Sequence, residues 1–187
     1  MSAERLLLDV FVLLEACLTA GEADDLDDLA ERLIDRLITK VGATSGLLYV
    51  REPMTRPQGL AHRFVSFPAH RARLLGAERD DARIEAAIAG GRAARVDPSA
   101  CALIDATGIA AVLSVPIAPM ALLELHAREP GALDDHTARV LGSLAPWLGA
   151  RIRAASRERE THALAQHARD EWLALDALVA RLPGVVW

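Results

Sequence analysis

The sequence predicts an α+β fold, an antiparallel sheet with helices from both ends of the chain layered on one face. Two strand-like runs, IAAVLSVPI at 109–117 and ALLELHARE at 121–129, are rich in Val, Leu and Ile. They lie too close together for a helical crossover, so they pair antiparallel. Helical periodicity gathers near the two chain ends, with short strand patterns between Pro and Gly breaks in the middle. The resulting order is helix, helix, strand, strand, helix, strand, loop, strand, strand, long helix, which suits adjacent strand pairs under terminal helices.

With 187 residues, 52% of them hydrophobic, the chain can bury one substantial core, and its length favours one domain plus an appendage. The net charge is -5 and uneven, with 4 basic and 10 acidic residues in 1–40 but 9 basic and 6 acidic in 51–100. The arginines are scattered among Asp and Glu rather than gathered in a stripe that would neutralise phosphates, so no nucleic-acid partner is expected. The longest uncharged apolar run, 109–123, is shorter than a bilayer span and contains Pro116 and Pro119. Asp9 and Glu15 interrupt the apolar N-terminal run and argue against a signal peptide. No membrane partner is expected, and the cytoplasm is the predicted location. Cys17 and Cys101 form neither a disulfide framework nor metal-ligand spacing, so no metal site is expected.

The elements follow in order. Leu6, Val10, Leu13 and Cys17 mark one face of a first helix that Gly21 stops. A second helix starts in the acidic run 24–28, with Leu26, Leu29, Leu33, Leu37 and Val41 on its core face. Ala30, Ile34 and Ile38 broaden that face, and Gly42 caps the helix. SGLLYVRE at 45–52 and LAHRFVSF at 60–67 read as strands, each closed by proline. Ile84 and Ile88 stand four apart on a short helix ended by Gly90-Gly91, and RAARV at 92–96 reads as a weak strand. After the strand pair, Pro130-Gly131 breaks the chain, and Asp134-Asp135 puts carboxylates where a helix N-terminus favours them. Val140, Leu141, Leu144, Leu148 and Ile152 then recur at helical spacing, with a kink expected at Pro146. Beyond Arg153, Ala165, Ala168, Trp172, Leu175, Val179 and Leu182 repeat in alternating steps of three and four, a heptad seam. Such a helix either folds back on its own domain or pairs with a second copy, and pairing is the preferred reading.

Four stretches resemble the GAF domain family. DLDDLAERLIDRLITKVGATSGLLYV is similar to the family's opening helix and first strand, and IEAAIAGGRAARVDP to its mid-domain helix, glycine turn and strand. ATGIAAVLSVPI resembles the strand ending in Val-Pro-Ile, and ALLELHAREPGALDDHTARVLGSLAPWLGARI the last strand and closing helix. The resemblance covers about 24–154. One departure is the turn between the last two strands, where Ala118-Pro119-Met120 replaces a longer glycine-containing turn. The terminal ARLPGVVW resembles the opening of a PAS domain.

The resemblance implies a sheet of about five to six strands with a ligand cavity on the face opposite the helices. It divides the chain into a sensor domain at 1–155 and a signalling, coiled-coil helix at 156–187. It further implies a small-molecule-sensing regulatory domain of a bacterial signal-transduction protein, a homodimer through its N- and C-terminal helices, relaying an unidentified effector's binding to an output domain. No cofactor is assigned.

Against that frame, Glu124 and His126 lie two apart on one strand and point to the same side, opposite Leu123 and Leu125. With Ser114 they are candidate hydrogen-bonding groups for a polar effector; the competing reading places them at a solvent-facing edge. Phe64 is a candidate pocket wall or plain core, with Ile84 and Ile88 as a lid. Short side chains at Ala110, Ala111 and Ser114 favour an open cavity. Cys101 is a candidate ligand contact, or a small buried hydrophobe. Two further readings stay in play, a ligand-free dimerisation domain and a Cys101-based redox sensor or enzyme. The reductases of this family use paired loop cysteines, and only Cys101 falls in a comparable region, so the chain is expected not to be an enzyme and no catalytic residue is assigned.

Overall fold

The computed structural model describes residues 26–51, 60–66, 81–97 and 108–179, with the backbone alone at 27, 60–66 and 159. The predicted first helix, the loop holding Cys101 and the PAS-like end at 180–187 lie outside the described residues.

Helix α1 (Leu26–Val41) exists because its apolar positions fall on one side: Leu26, Leu29, Ala30, Leu33, Ile34, Leu37 and Ile38 are buried while Glu31, Arg32, Asp35 and Arg36 are exposed. Gly42, at φ 71°, ends it in the left-handed region, and the Ala43 amide donates to the Ile38 carbonyl at 3.1 Å, satisfying an orphan acceptor of the last turn. Strands β1 (Ser45–Arg51) and β2 (Leu60–Ser66) follow, then helix α2 (Asp81–Gly90) and the short strand β3 (Ala94–Val96). The predicted pair becomes β4 (Ala111–Ile117) and β5 (Ala121–Ala127), two residues shorter at its outer ends than the apolar runs suggested. The turn at 118–120 closes on a bond from the Met120 amide to the Ile117 carbonyl at 3.1 Å, and the Ala118-Pro119 peptide is cis.

The five described strands form one antiparallel sheet in the order β2-β1-β5-β4-β3. The chain thus returns from its far half to lay β5 beside β1, with Leu48 opposite Leu123 and Ser45 opposite His126. Period-two alternation sorts the strands into two faces. Leu48, Val50, Ala111, Leu113, Val115, Ile117, Leu123 and Leu125 enter the main core with α1 and with α3 (Asp135–Val179). Leu47, Tyr49 and Leu122 turn the other way and meet Ile84 and Ile88 of α2. The sheet is therefore covered on one face by terminal helices and on the other by a short middle one.

Helix α1 packs so closely on β1 that a Cβ at Gly46 would lie 2.7 Å from Ile34 Cγ2 and 3.1 Å from Leu125 Cδ2. Asp134 caps α3: its Oδ1 accepts from the Thr137 amide at 2.8 Å and from the Thr137 hydroxyl at 2.9 Å. These bonds hold the Asp134 carboxyl below its ordinary value. The first five turns of α3 bury Val140, Leu141, Leu144, Leu148 and Ile152, as the spacing predicted. The helix continues through Pro146 without interruption for 45 residues, so the break in its hydrogen bonding stays local. From Arg157 to Val179 every described side chain is exposed, including Trp172 at 74%. No described helix is long and apolar enough to cross a membrane.

Candidate functional site

The face of the sheet beneath α2 carries two adjacent cross-strand rows, each with two polar residues. In one row Leu47, Glu124, Ser114 and Ala94 are register partners across β1, β5, β4 and β3. In the next, Ser45, His126 and Val112 align. Both rows arise because Glu124 and His126 replace apolar residues at alternating positions of a strand whose every residue is buried.

Glu124 is inside the protein, its side chain 1% exposed. A buried carboxylate must be paired, and its partner is Arg83 in the first turn of α2. The guanidinium grips it with two prongs, Nη1 on Oε1 and Nη2 on Oε2 at 3.1 Å, and the Ser114 hydroxyl adds a bond to Oε1 at 2.9 Å. A second ion pair of opposite polarity ties α2 to the neighbouring strand: Arg51 of β1 binds Glu85 of α2, with its Nε 3.2 Å from Oε1. That pair is half-exposed and correspondingly screened.

His126 is equally buried, and its Nδ1 lies 3.0 Å from the Ser45 hydroxyl. Burial pushes its pKa down to about 4; the nearby Glu124 charge opposes the shift and Arg83 adds to it. The imidazole is therefore neutral near pH 7, with one ring nitrogen a donor and the other an acceptor.

The structure brings Ser114, Glu124 and His126 together, and it places them in the interior rather than at the solvent-facing edge of the competing reading. Ile84 and Ile88 sit over Leu47, Tyr49 and Leu122. Phe64 is in register with Leu47 on β2, its side chain outside the described residues, and Cys101 lies outside them altogether. One pocket argument is corrected: Ala111 turns into the helix-side core, one residue out of phase with Val112 and Ser114, so it does not line this face. Arg83, Ser45 and Arg51 were missed. Arg83 had a signal, since an acidic residue predicted to point inward demands a cation, but nothing in the spacing selects it among the scattered arginines.

No family model matches the chain, and no curated protein does. Solved structures do. The free methionine-R-sulfoxide reductase of Neisseria meningitidis, solved in complex with its substrate, superposes with a TM-score of 0.62 at 18% identity, over 84% of this chain and 95% of its own. The GAF domain of a putative sensor histidine kinase from Pseudomonas syringae pv. tomato matches with a TM-score of 0.53 at 19% identity, over 89% of this chain and 99% of its own. The first likeness corrects the expectation that the chain is not an enzyme. An enzyme adopts this same architecture, so the fold does not separate sensors from catalysts, and 18% identity carries the fold without the reaction. The antiparallel sheet of five described strands, its flanking helices and both structural likenesses converge on one architecture: this chain has a GAF-like fold.

Proposed function

We propose that this chain is a small-molecule-sensing regulatory domain of a bacterial signalling protein, with residues 1–155 as the sensor and 156–187 as the helix that reports on it. The observation that carries this reading is the buried polar set Ser45, His126, Ser114 and Glu124, concentrated on the sheet face that α2 covers. Stability alone is better served by apolar residues at such positions, so retained polar groups point to recognition. The opposite face of the same strands packs against α3. A ligand that separates α2 from the sheet therefore acts one layer, the sheet itself, from the reporting helix, and it shifts that helix by its differential affinity for the two arrangements. The Pseudomonas neighbour, a GAF domain of a putative sensor kinase, supports the assignment.

The exposed Leu164, Trp172, Leu175, Leu178 and Val179 on α3 support the second half of the reading, a homodimer through the terminal helices. A thermal-shift and native mass-spectrometry screen of polar metabolites tests it, together with sedimentation at tens of micromolar. The expected result is a dimer stabilised by a compound whose effect is lost in Glu124→Gln. A monomer that binds nothing overturns the reading.

One observation favours a second reading, a dimerisation domain whose pocket is filled by its own side chains. Glu124 is already satisfied within the protein by Arg83 and Ser114. In that case the screen yields a dimer and no ligand.

A further inference from the structure

The Arg83–Glu124 pair joins two elements of unequal standing. Glu124 belongs to β5, the central strand of the sheet, and its side chain is 1% exposed. Arg83 belongs to a ten-residue helix, and its side chain is 18% exposed. The carboxylate is part of the sheet; the guanidinium reaches it from a separate, shorter element laid over the sheet face. Besides this pair, α2 is joined to β1 and β5 by Ile84 and Ile88 over Leu47, Tyr49 and Leu122, and by the half-exposed Arg51–Glu85 pair.

The recognition is specific in shape. Both carboxylate oxygens are engaged by one planar fork, the geometry that a guanidinium satisfies and an ammonium, a point charge, does not. Ser114 takes a further lone pair of Oε1, which fixes the carboxylate plane. His126, two residues away on the same face, is neutral and brings no competing cation.

We propose that Glu124 is a seat for a planar cation with two parallel N–H donors, a guanidinium or an amidinium, and that Arg83 fills it until a small molecule bearing that group displaces it and unfastens α2 from the sheet. This rests on the reading of that sheet face as a small-molecule site and adds the chemical class of the effector. Arg83 acts as a tethered competitor. Binding is then weakened by the fraction of molecules in which the seat is already taken, and removing the tether restores it.

The test uses the full chain and N-methylguanidinium chloride at millimolar concentration, with methylammonium chloride as the matched-charge control. Arg83→Ala is expected to show a saturable rise in melting temperature with methylguanidinium and none with methylammonium, and to bind it about ten- to a hundredfold more tightly than the unmodified protein. If Arg83→Ala does not fold alone, the same probe is expected to restore its folding. The double variant Arg83→Ala/Glu124→Gln, which removes both charges of the pair, is expected to fold and to ignore the probe. With this probe the proposal is overturned by Arg83→Ala that neither binds the probe nor is rescued by it, by a double variant that responds equally, or by an unmodified protein that binds as tightly as Arg83→Ala. A metabolite lacking the N–H fork that binds through Glu124 also removes it, and leaves small-molecule sensing standing.

Discussion

Acidification from pH 7 to pH 5 destabilises this protein through the buried His126 side chain. His126 is enclosed between β1, β4 and the layer above the sheet, and burial lowers its pKa from 6.5 to about 4. In the unfolded chain it takes up a proton as the pH falls through 6.5, whereas the folded chain refuses it until about 4. The unfolded state therefore binds more protons across that window, and stability falls as pH falls. The native state keeps its full advantage above 6.5, loses about 2 kcal/mol by pH 5, and loses about 3 kcal/mol in all once both states are protonated. For a chain of this size the pH 5 loss corresponds to a melting temperature lower by roughly 4–8 °C.

Urea unfolding at pH 7 and pH 5, on the unmodified protein and on His126→Asn, isolates this contribution. The variant starts less stable because it repacks a buried ring, so the comparison lies in the change with pH and not in the baseline. His126→Asn should lose about 2 kcal/mol less than the unmodified protein between the two pH values. An equal loss in both proteins, or imidazole carbon-bound proton shifts that titrate near 6.5 in the folded state, would refute the reasoning.

Other perturbations reach other parts of the molecule. Gly46→Ala drives a methyl to within 2.7 Å of Ile34 Cγ2 and should cost about 1–3 kcal/mol by forcing α1 off β1; an unchanged urea midpoint would contradict that packing. Asp134→Ala removes the cap of α3 and should cost about 1 kcal/mol near neutral pH. Because the Asp134 carboxyl is held below 3.8, that difference should shrink as pH falls through the depressed value, which unfolding curves at pH 7 and pH 3 would show. Leu123→Ala empties a fully buried position facing α1 and α3 and should cost about 2–5 kcal/mol by the same measurement. Trp172→Glu should leave the thermal transition of the sheet domain in place and abolish dimers in sedimentation, since Trp172 is 74% exposed within one chain.

The candidate site was half legible. That Glu124 and His126 share a face opposite Leu123 and Leu125 follows from the two-residue period of a strand and needs no structure. Whether that face is wet or dry does not follow. The two residues are buried because β5 sits between β1 and β4 and because α2 folds over the outer face, contacts separated by tens of residues in the sequence. Arg83 was hidden for the same reason. Its role depends on the register that puts Glu124 beside Ser114 and on the path that brings α2 above them. Ala111 shows the cost of a one-residue error: it was assigned to the pocket with Ser114, yet three residues apart on a strand means opposite faces.

Local physics accounts for what the sequence determined by itself. The apolar stripe and Gly42 cap set α1, the short turn made β4 and β5 antiparallel partners, and the Asp134 cap set the start of α3. Each depends on residues within a few positions of one another, where chain connectivity keeps the interacting groups close. Only the tertiary structure decided the strand order, the pairing of Arg83 with Glu124, and the enclosure that lowers the His126 pKa. Those are outcomes of burial, and burial is a property of which distant segments come to lie on top of one another, which no local pattern encodes.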